Sequence, residues 1–260
     1  MKVVFFIFIS FVFCQSEQPY PPMDLISVPT AGTLPRGSYT YETYLSKNGA
    51  VMPRLAIGLT ESLTFGVSHG IHHLIGNDKP EYNPQPGFQI KYRVFDESES
   101  FPAMVIGLDT QGKGKFNESE IDNDIARYER KAIGFYLITS KNWNILGNMG
   151  FHLGVNKNLW EKSGDPEDDA DVNLYLGIDK ELNRSFSLIV EFDAGLNDNE
   201  DEYNVSDLSA GKGKGFLNAG VRWAISKNLL VEINFNDIRK NTDAEYTNRE
   251  VKVMYSASFW

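Results

Sequence analysis

The chain has 260 residues, a formal net charge of −10, 13% aromatic residues, 22 glycines and one cysteine, Cys14. The acidic balance argues against a nucleic-acid partner, whose phosphates reward a basic surface, and a lone cysteine excludes an intramolecular disulfide. After the first residues no apolar run approaches the ~18 to 20 positions that a spanning helix needs, so a membrane crossing would have to be made by strands.

Met1 and Lys2 precede an apolar run from Val3 to Phe13 interrupted only by Ser10, and polarity resumes at Gln15. This is the layout of a secretory signal peptide over 1–14. Cleavage before Gln15 removes Cys14; acylation of Cys14 is the alternative, disfavoured by the bulk of Phe13. Residues 15–36 carry Pro19, Pro21, Pro22, Pro29 and Pro35 and read as an extended periplasmic lead-in ahead of a single domain, 37–260.

From residue 37 to the last residue, period-two alternation recurs. Phe88, Ile90, Tyr92 and Val94 interleave with Gln89, Lys91 and Arg93, which only a half-wet strand separates into two faces. The same pattern predicts strands over 37–46, 50–60, 62–73, 87–95, 101–110, 127–139, 145–157, 170–180, 184–196, 215–225, 229–238 and 247–260. Short joins such as Thr60-Glu61 and Ser226-Lys227-Asn228 alternate with long polar ones, Lys47-Asn48-Gly49 being the exception. Tight turns at one end and long loops at the other are the habit of outer-membrane barrels. Phe95, Phe101, Trp143, Phe186, Trp223 and Phe259 fall near the short turns or the C-terminus, as an interfacial aromatic girdle would. The expected fold class is all-β: an up-and-down antiparallel transmembrane β-barrel of about 12 strands.

The final predicted strand alternates Val251, Val253, Tyr255, Ala257 and Phe259 with Lys252, Met254, Ser256 and Ser258, and Trp260 follows. Here the sequence resembles bacterial outer-membrane β-barrel proteins. The resemblance implies a terminal signal, Tyr255, Phe259 and Trp260, read by the barrel-assembly machinery; Trp260 departs from the pattern by standing one residue beyond the matching aromatic. Leu25-Ile26-Ser27-Val28-Pro29-Thr30-Ala31 is similar to exopolysaccharide-linked barrel proteins. Outer-membrane lipid and lipopolysaccharide are the partners that the architecture implies.

The water-facing positions give the lumen-lining candidates: Glu42, Arg54, Lys91, Arg93, His152, Glu191, Asp193, Arg222, Glu232 and Lys252, joined by Asp109, Asp171 and Asp179. Both signs are present, so these groups either pair and close the lumen or line a narrow polar path. The expected function is non-enzymatic: a channel for small polar solutes or oligosaccharides, or a plugged structural barrel. An outer-membrane lipid hydrolase and a soluble exported β-domain are the alternatives.

Ser68 and His72 are the Ser/His pair considered for catalysis, but four residues along a strand separates them by about 13 Å, too far for direct hydrogen bonding. His69, His72 and His73 read as rim residues and not as metal ligands. The acidic runs 165–169 and 198–202 match no Ca²⁺-loop pattern. Gly112-Lys113-Gly114-Lys115 and Gly211-Lys212-Gly213-Lys214 lack phosphate-loop spacing. No cofactor, metal site or catalytic residue is expected.

Overall fold

A computed structural model describes residues 22–119, 125–163, 171–200, 208–240 and 248–259. The expected signal peptide, Cys14, the acidic run 165–169 and Trp260 lie outside these residues.

Among the described residues sixteen strands follow in order: β1 (Ser38–Ser46), β2 (Ala50–Gly58), β3 (Leu63–Ser68), β4 (Ile71–His72), β5 (Glu81–Tyr82), β6 (Gly87–Phe95), β7 (Ala103–Asp109), β8 (Lys113–Ser119), β9 (Ile125–Arg130), β10 (Gly134–Asn144), β11 (Asn148–Lys157), β12 (Asn173–Glu181), β13 (Phe186–Asp193), β14 (Phe216–Ala224), β15 (Leu229–Asn236) and β16 (Asn248–Ser258). Fourteen of them form one antiparallel sheet, in which twelve run round in chain order with β1 pairing both β2 and β16, while β4 and β5 add on to β2. That double pairing closes the sheet into a barrel and leaves no edge. Each of β4, β5, β8 and β9 lies in a connection at the long-loop end.

The strand faces divide as the alternation requires. On β6, Phe88, Ile90 and Tyr92 point outward while Gln89 and Lys91 are buried inside. Leu174 and Leu176 on β12, Leu188 and Val190 on β13, and Ile233 and Phe235 on β15 extend the outward apolar band. A closed sheet with apolar residues outside and charges inside is built for a membrane, since closure satisfies every ladder group without water. At the short-turn end, Trp143 meets Phe151 edge-on at 5.0 Å and Phe186 stacks on Trp223 at 5.8 Å.

Three expectations change. The strand expected over 127–139 straddles two elements, because Lys131–Ile133 leave the ladder and Gly134 turns at φ 76°. Residues 125–130 instead form β9, hairpinned with β8. Ser140 to Asn144, expected as the short join between the strands 127–139 and 145–157, are paired rungs of β10, and the turn is 145–147. The strand expected over 62–73 ends at Ser68, and Ile71–His72 pair separately with Val51 and with β5.

The largest change concerns the expected periplasmic lead-in over 15–36. Its described part, residues 22–36, lies inside the barrel, with Leu25, Val28 and Leu34 fully buried. Thr30 N–H bonds to Met23 O and Leu25 N–H to Val28 O, so 23–30 form a hairpin with its tip at Ile26-Ser27. From that tip the chain returns to Gly37, where β1 begins at the short-turn rim. Proline-rich composition suggested an extended linker. The apolar residues between the prolines have no regular period, and their partners lie on strands distant in sequence.

Candidate functional site

The lumen is an interior of two unlike halves with the hairpin between them. One half is apolar: Val105, Tyr136, Ile138, Tyr175 and Ile189 form a buried cluster with Leu25, Ile26, Val28 and Ala31 of the hairpin. Glycines make this seat. A Cβ on Gly177 would stand 2.2 Å from Leu25 Cδ1, and one on Gly154 would stand 2.3 Å from the Tyr175 ring. Burying a Leu, Ile or Val side chain contributes about 1.5 to 3 kcal/mol each, so the hairpin is held by packing as well as by charge.

The other half is charged. Across five neighbouring strands, β2, β1, β16, β15 and β14, charges alternate in sign. Arg54 lies 4.0 Å from Glu42, Lys252 lies 3.6 Å from Glu42 and 3.9 Å from Glu232, and Arg222 Nε donates to Glu232 at 2.6 Å. Register produces the belt: Glu42 faces Arg54, and Glu232 faces both Arg222 and Lys252. The hairpin joins its two ends. Asp24 pairs with Arg54 at 2.7 Å, and Arg222 donates to the Asp24 carbonyl at 3.2 Å. Lys91 approaches Asp24 at 3.4 Å, and Asp109 approaches Arg54 at 3.4 Å. The eight groups comprise four cations and four carboxylates, so this level of the lumen is neutral while Asp24 is in place. Buried pairs of this kind offset desolvation only when every partner is present.

The hairpin tip is held by Glu191 on β13. Its carboxylate accepts the amides of Ile26 at 2.9 Å, Ser27 at 3.0 Å and Val28 at 3.3 Å, the Ser27 hydroxyl, and Asn218 Nδ2 at 2.5 Å. Three successive N–H groups converging on one carboxylate make an anion nest. Lower in the lumen, Ser140 Oγ accepts the Ala31 amide at 2.9 Å and Thr64 Oγ1 accepts the Leu34 amide at 2.9 Å.

Ser140 belongs to a second constellation. It lies 2.7 Å from His152 Nδ1, and His152 Nε2 lies 2.7 Å from Asp179 Oδ1. A carboxylate only accepts, so Nε2 carries the proton, and in the neutral ring Nδ1 accepts from the Ser140 hydroxyl. A Cβ on Gly150 would stand 2.3 Å from Asp179 Oδ1, which explains the glycine facing Asp179. Serine, histidine and carboxylate stand in the order used for nucleophilic catalysis, but the Ala31 main chain covers the serine, where a substrate carbonyl would have to arrive.

Of the lumen-lining candidates, Glu42, Arg54, Lys91, His152, Glu191, Asp193, Arg222, Glu232 and Lys252 are buried inside. Arg93 is not brought to them; it bonds Glu61 O at 2.6 Å and Asp96 at 2.8 Å on the short-turn rim. Asp193 sits higher, on Arg130 at 2.7 Å. Asp171 is exposed in the loop before β12, 3.6 Å from Lys212. Tyr255 and Phe259 stand over Tyr39 of β1 at 6.5 and 5.0 Å, where the last strand meets the first.

The other candidates disperse. Ser68 bonds Gln111 and His72 bonds Asn83, both at 3.2 Å, so they do not form a pair. Among the described residues no group of three or more His, Cys, Asp or Glu is placed to hold a metal. Asp198 is taken by Arg127 at 2.8 Å, and Lys113 by Glu250 at 3.0 Å. Sequence reading missed the hairpin, Asp24 and Ser140. Ser140 was recoverable, because a turn at 145–147 puts it opposite His152.

The outer end is also covered. Arg127 of β9, fully buried, bonds Asp198, Asn199 and Ser209 of the β13–β14 connection. Glu161 accepts the Ala132 amide at 2.9 Å and the Tyr128 amide at 3.2 Å. Burial raises the Glu161 carboxyl to about 7. Between hairpin and wall lie a cavity of about 30 Å³ lined by Asp24, Ser27, Tyr44, Arg54, Asp109 and Lys113 among others, and a smaller one of about 10 Å³ beside Met23, Arg222 and Glu232; the larger has room for a water molecule but not for a solute.

No protein-family model and no curated protein matches this sequence. Among solved structures, the chain is similar to "KdgM porin" at 11% identity and a TM-score of 0.46, with 84% of this chain and 98% of that chain covered. It is similar to a NanC porin structure at 10% identity and a TM-score of 0.44, with 85% and 100% covered. It is also similar to the outer membrane phospholipase A from Escherichia coli at 11% identity and a TM-score of 0.38, with 87% and 91% covered.

Proposed function

We propose that the protein is a non-enzymatic outer-membrane barrel whose lumen is a channel for small polar solutes, closed at rest by the hairpin 22–36. The observation that carries this is the belt of Arg54, Glu42, Lys252, Glu232 and Arg222, which lines the wall on its own and uses the hairpin only to join its ends. A wall kept charged in a membrane protein is costly unless it serves a water path. Lipopolysaccharide and the barrel-assembly machinery are the partners that the outer band and the Phe259 seam support.

The apolar seat around Leu25 favours a second reading, a permanently plugged structural barrel. A reversible lock separates the two. Ser27 Oγ and Asn218 Nδ2 lie 3.2 Å apart, so Ser27→Cys with Asn218→Cys places two thiols that a short bifunctional thiosulfonate reagent can join by reducible disulfides, tying the hairpin to the wall. In planar bilayers, discrete conductance steps are expected only after reduction. Steps of equal frequency in both states would remove the hairpin from gating, and silence in both would reject the channel.

A further inference from the structure

We propose that the lumen wall is a peptide-binding site, occupied in cis by the hairpin, and that a free acidic peptide of matching chemistry competes for it. The inference rests on the channel reading and names the class of solute.

The wall reads main chain more than side chain. From the wall, Lys91 donates to the carbonyls of Met23 and Thr30 and Arg222 to that of Asp24, and Lys113 of the β8 loop above it donates to that of Ile26. Glu191, Ser140 and Thr64 accept amides. Donors and acceptors held on the wall and on its outer loop thus meet both the C=O and the N–H groups of a peptide. Hairpin side chains enter recognition at few points: Asp24 in the belt, the Ser27 hydroxyl on Glu191, and branched apolar residues in the seat at Gly177, Ile138 and Ile189.

Charge sets the remaining requirement. Among the described residues, every hydrogen bond and ion pair of the Lys91 ammonium goes to the segment 22–36. Without the hairpin, the belt keeps four cations but only three carboxylates, and a fully buried ammonium loses its partners. An occupant is therefore required to bring one carboxylate at the Asp24 position, followed by branched apolar residues and a tight turn. A neutral oligosaccharide supplies neither the charge nor the apolar side chains, and an acidic one supplies only the charge, so the apolar seat of Ile138 and Ile189 is what favours peptide.

The test uses the full chain in detergent micelles with Asp24→Ala, which loosens the cis hairpin and leaves the wall intact. The probe is a labelled synthetic peptide with the sequence of residues 22–36, read by fluorescence anisotropy. Saturable binding is expected, at least ten-fold tighter than to the unaltered chain. A peptide with Asp24→Asn should bind at least ten-fold more weakly, Lys91→Met in the chain should erase that difference, and maltoheptaose should not compete. If the Asp24→Ala chain does not fold, as judged by heat-modifiable gel mobility, Ser27→Ala serves in its place. Conductance without saturable peptide binding overturns this inference and leaves the channel standing. Absence of both conductance and binding overturns both. Binding that ignores the Asp24→Asn change in the peptide also overturns the inference, since the carboxylate would then play no part.

Discussion

Lys91 on β6 and Glu191 on β13 hold the same hairpin from distant parts of the wall, with four strands between them one way round the barrel and six the other. Lys91 takes carbonyls and Asp24; Glu191 takes the three amides of the tip. Each is fully buried. A charge of either sign thus depends on the segment between them, and loosening one end leaves the other charge held by half of a clamp.

Glu191→Gln is the direct test at the tip. The amide keeps the shape but replaces one acceptor oxygen by a donor, facing amides that also donate. Leaving buried donors without their acceptor in this way costs about 1 to 3 kcal/mol. The expected result is more frequent bilayer conductance steps with an unchanged barrel mobility on gels. Unaltered gating would mean that the tip contributes no closure.

Lys91 and Asp24 suit a double-mutant cycle, because Asp24→Asn takes away the carboxylate that Lys91 approaches, while Lys91→Met leaves Asp24 with Arg54. Lys91→Met and Asp24→Asn should each destabilise the chain in urea unfolding. The double variant should lose less than their sum, with a coupling of about 1 to 3 kcal/mol. Strict additivity would show that the 3.4 Å approach carries no energy.

Ser140 separates structure from catalysis. Ser140→Ala removes the acceptor of the Ala31 amide and the donor to His152, at a cost of about 1 to 3 kcal/mol for the groups left unpaired. A fluorophosphonate probe should leave the wild-type chain unlabelled, because the hairpin covers the hydroxyl. Stoichiometric labelling lost in Ser140→Ala would restore the hydrolase reading.

The outer cap should respond to pH through Glu161. Its folded pKa, about 7, lies above the ordinary carboxylate value of 4.5, so the folded cap favours the protonated form. The sign follows: this contribution is fully present below about 4.5 and is lost as pH rises through about 7. Trp160, beside Phe135 at 6.1 Å, reports the change by fluorescence. A transition centred near 7 is expected in the wild type and none in Glu161→Gln, which stays neutral; a persistent transition would place its origin elsewhere.

Much of the wall was legible in the sequence, because alternation such as Phe88-Gln89-Ile90-Lys91 has a single physical cause and that cause acts locally. The hairpin was not. Leu25, Ile26 and Val28 are buried by Tyr136, Tyr175 and Ile189, far along the chain, and local composition says only that prolines flank them. Polar rungs such as Ser140-Lys141-Asn142 misled for a related reason. Ser140 faces the lumen, where polar side chains are buried, and Lys141 and Asn142 bond Glu99 and Glu97 at the short-turn rim, so polarity does not mark the end of a strand.

The seam between β1 and β16 has a mechanical role beyond closing the sheet. Gly37, at φ 72°, donates its N–H to Gly58 O and accepts from the Phe259 amide at 2.9 Å. It is also the point where the hairpin leaves the wall. The pivot of the internal segment is therefore clamped by the final strand, so strain at the closing joint would be transmitted directly to the arm inside. Loosening the Phe259–Tyr39 contact would slacken that hinge without touching a single group in the lumen.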